Sequence, residues 1–173
     1  MHIAEIKKTD IANGEGVRVS LFVSGCTRRC KNCFNSVAWD FEYGRPFIPE
    51  LQEEVLAALS PDYIAGLSLL GGEPFEPSNQ KGLLPFIREF KLRFPQKTIW
   101  CYTGYTFDNG IMKEVQANCE ETRELLSLID VLVDGPFIEE LKDIRLKFRG
   151  SSNQRVIDMK RTLEAGNVVL YLA

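Results

Sequence analysis

The stretch VRVSLFVSGCTRRCKNC (residues 17–33) runs a seven-residue apolar segment straight into three cysteines, Cys26, Cys30 and Cys33, with three residues and then two between them. A short apolar run of this kind predicts a β-strand over 17–23, so the cysteines fall in the loop at its carboxyl end. Cysteine at this density is not a packing choice, because a core selects shape and volume while a cluster of thiolates selects a soft metal.

Outward from this stretch the pattern repeats. GLSLLG (66–71), KTIWCYT (97–103), DVLVDG (130–135), QRVID (154–158) and VVLYL (168–172) predict five further strands. PELQEEVLAALS (49–60), KGLLPFIREFKLRF (81–94), ETRELLSLI (121–129) and DMKRTLEAG (158–166) predict helices, the first with Pro49 in the permitted initial turn and the last stopped by Gly166. Short apolar runs alternating with amphipathic stretches predict an α/β fold with mainly parallel strands. A chain of 173 residues is one domain's worth, 1–173, and too short for an eight-fold barrel of ~250 residues, so the expectation is an open partial (βα)6-type barrel.

The cysteine count narrows the metal chemistry. Five cysteines are an odd number, and neighbours three or four apart in a tight loop rarely reach disulfide geometry. The N-terminal MHIAEIKKTD lacks the apolar core of a secretion signal, which predicts a reducing cytoplasm. Structural zinc takes four protein ligands in two short pairs, and neither Cys101, Cys119 nor His2 has a partner at that spacing. An iron–sulfur cubane held by three cysteines leaves one iron open to a small molecule. A net charge of −3 and a pI near 5.3 speak against a general nucleic-acid surface, and no apolar run reaches the ~20 residues of a membrane span.

In parallel α/β architectures chemistry gathers at the carboxyl ends of the strands. GGEPF (71–75), TGYT (103–106) and DGPF (134–137) stand there beside the cysteine loop. Gly71 and Gly72 permit close backbone approach, and Glu73 offers a carboxylate to a ligand ammonium. Taken singly, GGEP and Asp134-Gly135 are ordinary turn sequences. Arg28, Arg29 and Lys31 make the cysteine loop basic, which reads either as a solvated surface or as a docking patch for an acidic partner or reductant. Trp39 and Trp100 read as core or interface aromatics.

CxxxCxxC after the first strand, followed by Gly-Gly-Glu after the second, resembles the radical S-adenosylmethionine (SAM) superfamily. More narrowly, NGEGVRVSLFVSGCTRRCKNCFN, SLLGGEP, YTGYT, IDVLVDGPFIEEL and FRGSSNQRVID resemble the glycyl radical enzyme activases that act on the anaerobic ribonucleoside-triphosphate reductase. The likeness runs from about residue 10 to residue 158. Many superfamily members carry an aromatic just before the third cysteine, where this chain has Asn32, with Phe34 just after.

The resemblance implies that Cys26, Cys30 and Cys33 hold a [4Fe-4S] cluster whose fourth iron is chelated by SAM. Reductive cleavage of SAM then gives methionine and a 5′-deoxyadenosyl radical, which takes hydrogen from a glycine on the reductase's large subunit. No catalytic residue beyond cluster and SAM is implied. Backbone groups of Asn32, Cys33 and Phe34 are expected at the adenine edge, and Gly71, Gly72 and Glu73 at the methionyl ammonium. Thr103 and Asp134 are expected at the methionine end or the ribose hydroxyls, and Ser152 and Asn153 at SAM or the incoming peptide. Arg155 reads equally as a member of a structural ion pair. A low-potential electron donor such as flavodoxin is implied, and neither nucleic acid nor membrane. The alternatives are an activase of another glycyl radical enzyme such as pyruvate formate-lyase, a small-molecule radical SAM enzyme, and a zinc-binding module. The chain lacks the cysteine-rich insert of some other activases and is short for building a lid, which favours a protein substrate.

Overall fold

A computed structural model describes residues 1–31, 33 and 36–173. Its strands are β1 (His2–Asp10), β2 (Val17–Val23), β3 (Arg45–Pro46), β4 (Ile64–Gly71), β5 (Thr98–Tyr102), β6 (Val131–Asp134), β7 (Arg155–Asp158) and β8 (Leu170–Leu172). They form one sheet in the order β3-β1-β2-β4-β5-β6-β7-β8. The helices are α1 (Pro49–Leu59), α2 (Pro77–Arg93), α3 (Gln116–Asn118), α4 (Thr122–Leu128) and α5 (Met159–Ala165), with a π-helical segment at Phe107–Val115.

The α/β class follows the sequence expectation, but the sheet is mixed where mainly parallel strands are predicted. Parallel pairing joins β2, β4, β5 and β6, which are connected by crossovers that carry helices. β1 pairs antiparallel with β2, and β7 and β8 run antiparallel at the other side. The physical reason is the connections. A parallel neighbour needs a crossover, whereas residues 11–16 form a tight return with Gly14 and Gly16 at positive φ, and residues 135–154 hold no α-helix to carry the chain across the sheet. Among the described residues no helix is long and apolar enough to cross a membrane.

Side-chain alternation divides the sheet into two faces. Leu21, Leu69, Ile99, Cys101 and Leu132 pack against the helices with Phe75, Phe86 and Phe90, each of these phenylalanines stabilising the fold by ~1.5–3 kcal/mol through burial. Trp100, Val131, Val133 and Val156 pack on the opposite face with Phe148 and Leu172, and Trp100 meets Phe148 edge-on at 5.1 Å. Cys101 thus lies in the helix-side core, fully buried. On the other face the buried Arg18 donates to Ser68 Oγ, Thr98 Oγ1 and the carbonyls of Glu15, Leu67 and Thr98, all of them uncharged.

Candidate functional site at the carboxyl ends of the parallel strands

The loops that follow β2, β4, β5 and β6 converge on a cavity of about 210 Å³. Cys26, Cys30 and Cys33 line it together with Gly71, Gly72, Glu73, Thr103, Gly104 and Gly135. Cys26 is buried, and burial pushes its thiol upward against backbone N–H bonds from Arg28 and Arg29 that pull it down. Cys30 and Cys33 are partly exposed.

Backbone hydrogen bonds bring the cysteine loop against the loop after β4. Gly72 N–H donates to Val23 O at 2.8 Å and Glu73 N–H to Gly25 O at 2.9 Å. Gly25 and Cys26 N–H donate to the carbonyls of Ala38 and Trp39 at 2.7 and 3.3 Å. Gly71 is at φ +108°, and a Cβ on Gly72 would stand 2.6 Å from Gly25 O and 2.9 Å from Ala38 O. Both glycines are thus required first by the neighbouring backbone, where the sequence suggests approach to a ligand.

Glu73 is 1% exposed. Its carboxylate accepts from Phe75 N–H (2.9 Å), Thr103 Oγ–H (2.9 Å) and Gly104 N–H (2.8 Å). Burial pushes it up to about 7, against these bonds and the charge of Arg28. Asp134, also 1% exposed, is held by Arg155 Nε at 3.0 Å and accepts the Phe107 N–H that opens the π-helical segment. Arg155 also reaches Asp108 at 2.9 Å, and its guanidinium pKa is raised by the Asp134 bond above all. Asp134 and Arg155 therefore form an ion pair beside the cavity wall, which Gly135 lines in their place. Ser152 is exposed and donates its N–H to Leu141 O at 2.9 Å, and Asn153 Nδ2 donates to Pro136 O at 2.8 Å. Asn32 and Phe34 lie outside the described residues.

Gln154 and Tyr102, which also line the cavity, carry no distinct sequence signal, and Arg28 and Trp39 read in the sequence only as a loop charge and as a core or interface aromatic. Gln154, flanked by Asn153 and Arg155, accepts from Gly150 and Ser151 N–H and donates to Gly135 O at 3.1 Å, closing that side. Arg28 stands over the Tyr105 ring at 4.8 Å and passes where a Cβ on Gly104 would be, 2.7 Å from its Nε. Arg28 Nε, Trp39 Nε1 and Tyr102 Oη are buried without a hydrogen-bond partner among the described residues. Three thiols and three orphaned polar atoms around one cavity fit an iron–sulfur cluster with a polar small molecule beside it. Cys119 Sγ is 3.2 Å from Glu121 Oε2, and neither it nor Cys101 lines this cavity.

Residues 12–157 match the family described as a 4Fe-4S single cluster domain. Among curated relatives, an anaerobic ribonucleoside-triphosphate reductase-activating protein of Pasteurella multocida is 42% identical over 156 residues, 89% of this chain and 95% of the relative. Proteins of the same name from Escherichia coli K12 and Enterobacteria phage T4 are each 37% identical over 90% of this chain and 97% and 93% of their own lengths. The chain belongs to the 4Fe-4S single cluster domain family. It belongs also to the family of anaerobic ribonucleoside-triphosphate reductase-activating proteins.

Proposed function

We propose that this chain activates an anaerobic ribonucleoside-triphosphate reductase by placing a glycyl radical on its large subunit. The observation that carries this is the meeting of Cys26, Cys30 and Cys33 with the Gly71–Glu73 turn around one cavity, in a chain whose relatives bear the activating name. A [4Fe-4S] cluster and SAM would supply reductive cleavage to methionine and a 5′-deoxyadenosyl radical, the hydrogen abstractor.

The chain's own work is to bind, orient and exclude water. Cys26, Cys30 and Cys33 are the cluster ligands. Glu73 has three of its carboxylate's roughly four acceptor positions filled from within, leaving about one for the methionyl ammonium beside the Gly71 and Gly72 carbonyls. Thr103 serves the methionine end or the ribose, and Asp134, paired with Arg155, does so from behind Gly135 by holding that wall. Asn32, Cys33 and Phe34 offer backbone groups to the adenine, and Ser152 and Asn153 border the incoming peptide. Residues 1–173 act as one domain. We read its sheet, with β2, β4, β5 and β6 parallel at the centre, as an open partial barrel of the radical SAM kind. Docking of the large subunit over the cavity mouth supplies the desolvation that a lid supplies elsewhere. A low-potential donor such as flavodoxin would supply the electron, in the cytoplasm.

The test uses the reconstituted chain, SAM, a reductant and the reductase deuterated at its glycine α-carbons. A glycyl radical signal and deuterium in the 5′-deoxyadenosine are expected, both lost with Cys26→Ala, Cys30→Ala or Cys33→Ala. Deuterium that never reaches 5′-deoxyadenosine, while a small molecule's hydrogen does, refutes the proposal.

A further inference from the structure

Among the described residues Cys33 N–H donates to Cys30 O at 3.2 Å, and Cys26 is gripped on both flanks by the entry to α2. On one flank, Gly25 O accepts Glu73 N–H at 2.9 Å and Asn79 Nδ2 at 3.4 Å, and Asn79 Nδ2 also donates to Glu73 O at 3.0 Å. On the other flank, a single oxygen of Glu76, Oε1, accepts both Thr27 N–H at 2.8 Å and Thr27 Oγ–H at 2.7 Å. Glu76 is 6% exposed and stands immediately before Pro77, the first residue of α2. Its side chain makes no capping bond to its own helix. The acidic residue favoured as a cap at that position is the shorter Asp, not Glu. Here Glu76 reaches across to the residue after Cys26.

We infer that Glu76 is a positioning residue for the iron–sulfur site: with Thr27 it latches the cysteine loop to α2 and fixes Cys26 before the other two ligands are in place. The inference rests on the cluster assignment proposed above. Glu76 touches neither metal nor substrate in this role and acts through the backbone of Thr27. Two charge-assisted bonds to one carboxylate oxygen are stronger than neutral ones, while the solvent exposure of Thr27 lets water compete and keeps the effect to the lower part of the range.

The experiment compares whole-chain, anaerobically reconstituted wild type with Glu76→Ala, Glu76→Gln, Thr27→Ala, Thr27→Ser and Glu76→Ala/Thr27→Ala. It reads iron per chain and the rate of iron release to a chelator, with thermal unfolding of the iron-free chain alongside. Glu76→Ala should release iron about tenfold faster, as expected for loss of bonds to a charged group. Thr27→Ser should behave as wild type, and the double variant should be no worse than Glu76→Ala, because the two residues form one latch. Glu76→Gln keeps an acceptor oxygen but loses a negative charge near Cys26, so it should hold its iron better than Glu76→Ala and show a raised cluster reduction potential, a readout that a merely structural role does not move. Should Glu76→Ala fail to fold, the Thr27→Ala and Glu76→Gln release rates decide. Wild-type release rates in Glu76→Ala, or in that case in Thr27→Ala, or additive effects in the double variant, overturn the latch while leaving the cluster assignment standing. A wild-type chain that takes up no cluster overturns both.

Discussion

Gly72→Ala separates a glycine needed by a ligand from a glycine needed by the protein. The new Cβ would sit 2.6 Å from Gly25 O, about 0.8 Å inside the 3.4 Å at which ordinary contact begins, and 2.9 Å from Ala38 O. Neither carbonyl can swing aside cheaply, since Gly25 O is held by Glu73 N–H and Ala38 O by Gly25 N–H. Forcing a methyl into such a contact costs about 1–3 kcal/mol. For a chain of this size that is a fall of roughly 2–12 °C in the unfolding midpoint. The displaced backbone is that of the residue before Cys26, so iron content should fall with stability. The assay is differential scanning calorimetry of the iron-free chain together with iron and sulfide analysis after reconstitution. A variant with unchanged midpoint and full iron but weakened SAM binding would refute this reasoning and return Gly72 to the ligand.

Two further outcomes follow from the carboxylates. Glu73 is raised in the folded chain from 4.5 to about 7, so the folded state binds more protons over that interval; stability of the iron-free wild type should fall as pH rises through it, and urea midpoints of Glu73→Gln should lack that slope. Arg155→Ala strands the buried Asp134 beside Phe107 N–H, and with the arginine side chain 31% exposed the loss should be about 2 kcal/mol, or roughly 4–8 °C by thermal melt; an unchanged melt would show that the pair is not a brace.

Apolar runs made the centre of the sheet legible. The run 17–23 coincides with β2, and those at 66–71, 97–103 and 130–135 fall within two residues of β4, β5 and β6. Strand direction was not legible, because it depends on connections whose path the flanking residues do not encode. β1 escapes detection since little of it beyond Ile3 and Asp10 is buried, and Asp10 is polar, held by Ser20, Asn13 and Ala12 N–H. The start of α2 escapes for a related reason. Asn79 and Gln80 are buried polar residues, and Gln80 is satisfied by Phe75 O and Thr122 Oγ, so four residues that look like a loop belong to the helix. At the site, the structure brings the loops that carry the motifs together with the cysteines around one cavity. Glu76 and Gln154 were invisible because their importance lies in which backbone each one meets, and Arg28 was visible only as a charge of the cysteine loop, not as a residue standing over Tyr105 in the cavity wall.

The sheet's two rims are β3, of two residues, and β8, of three. A long free edge offers a row of unpaired amides to any other extended chain, which is how β-rich proteins recruit one another into aggregates. On one rim Pro46 removes a donor outright, but β3 pairs only with His2 and Ile3 and leaves the rest of β1's outer edge uncovered by a strand. The parallel strands that bear the site are flanked on both sides and never stand at an edge. The stretch open to another extended chain is thus the outer edge of β1, where Lys7 and Lys8 set charges against such pairing, and it lies away from the strands that bear the site.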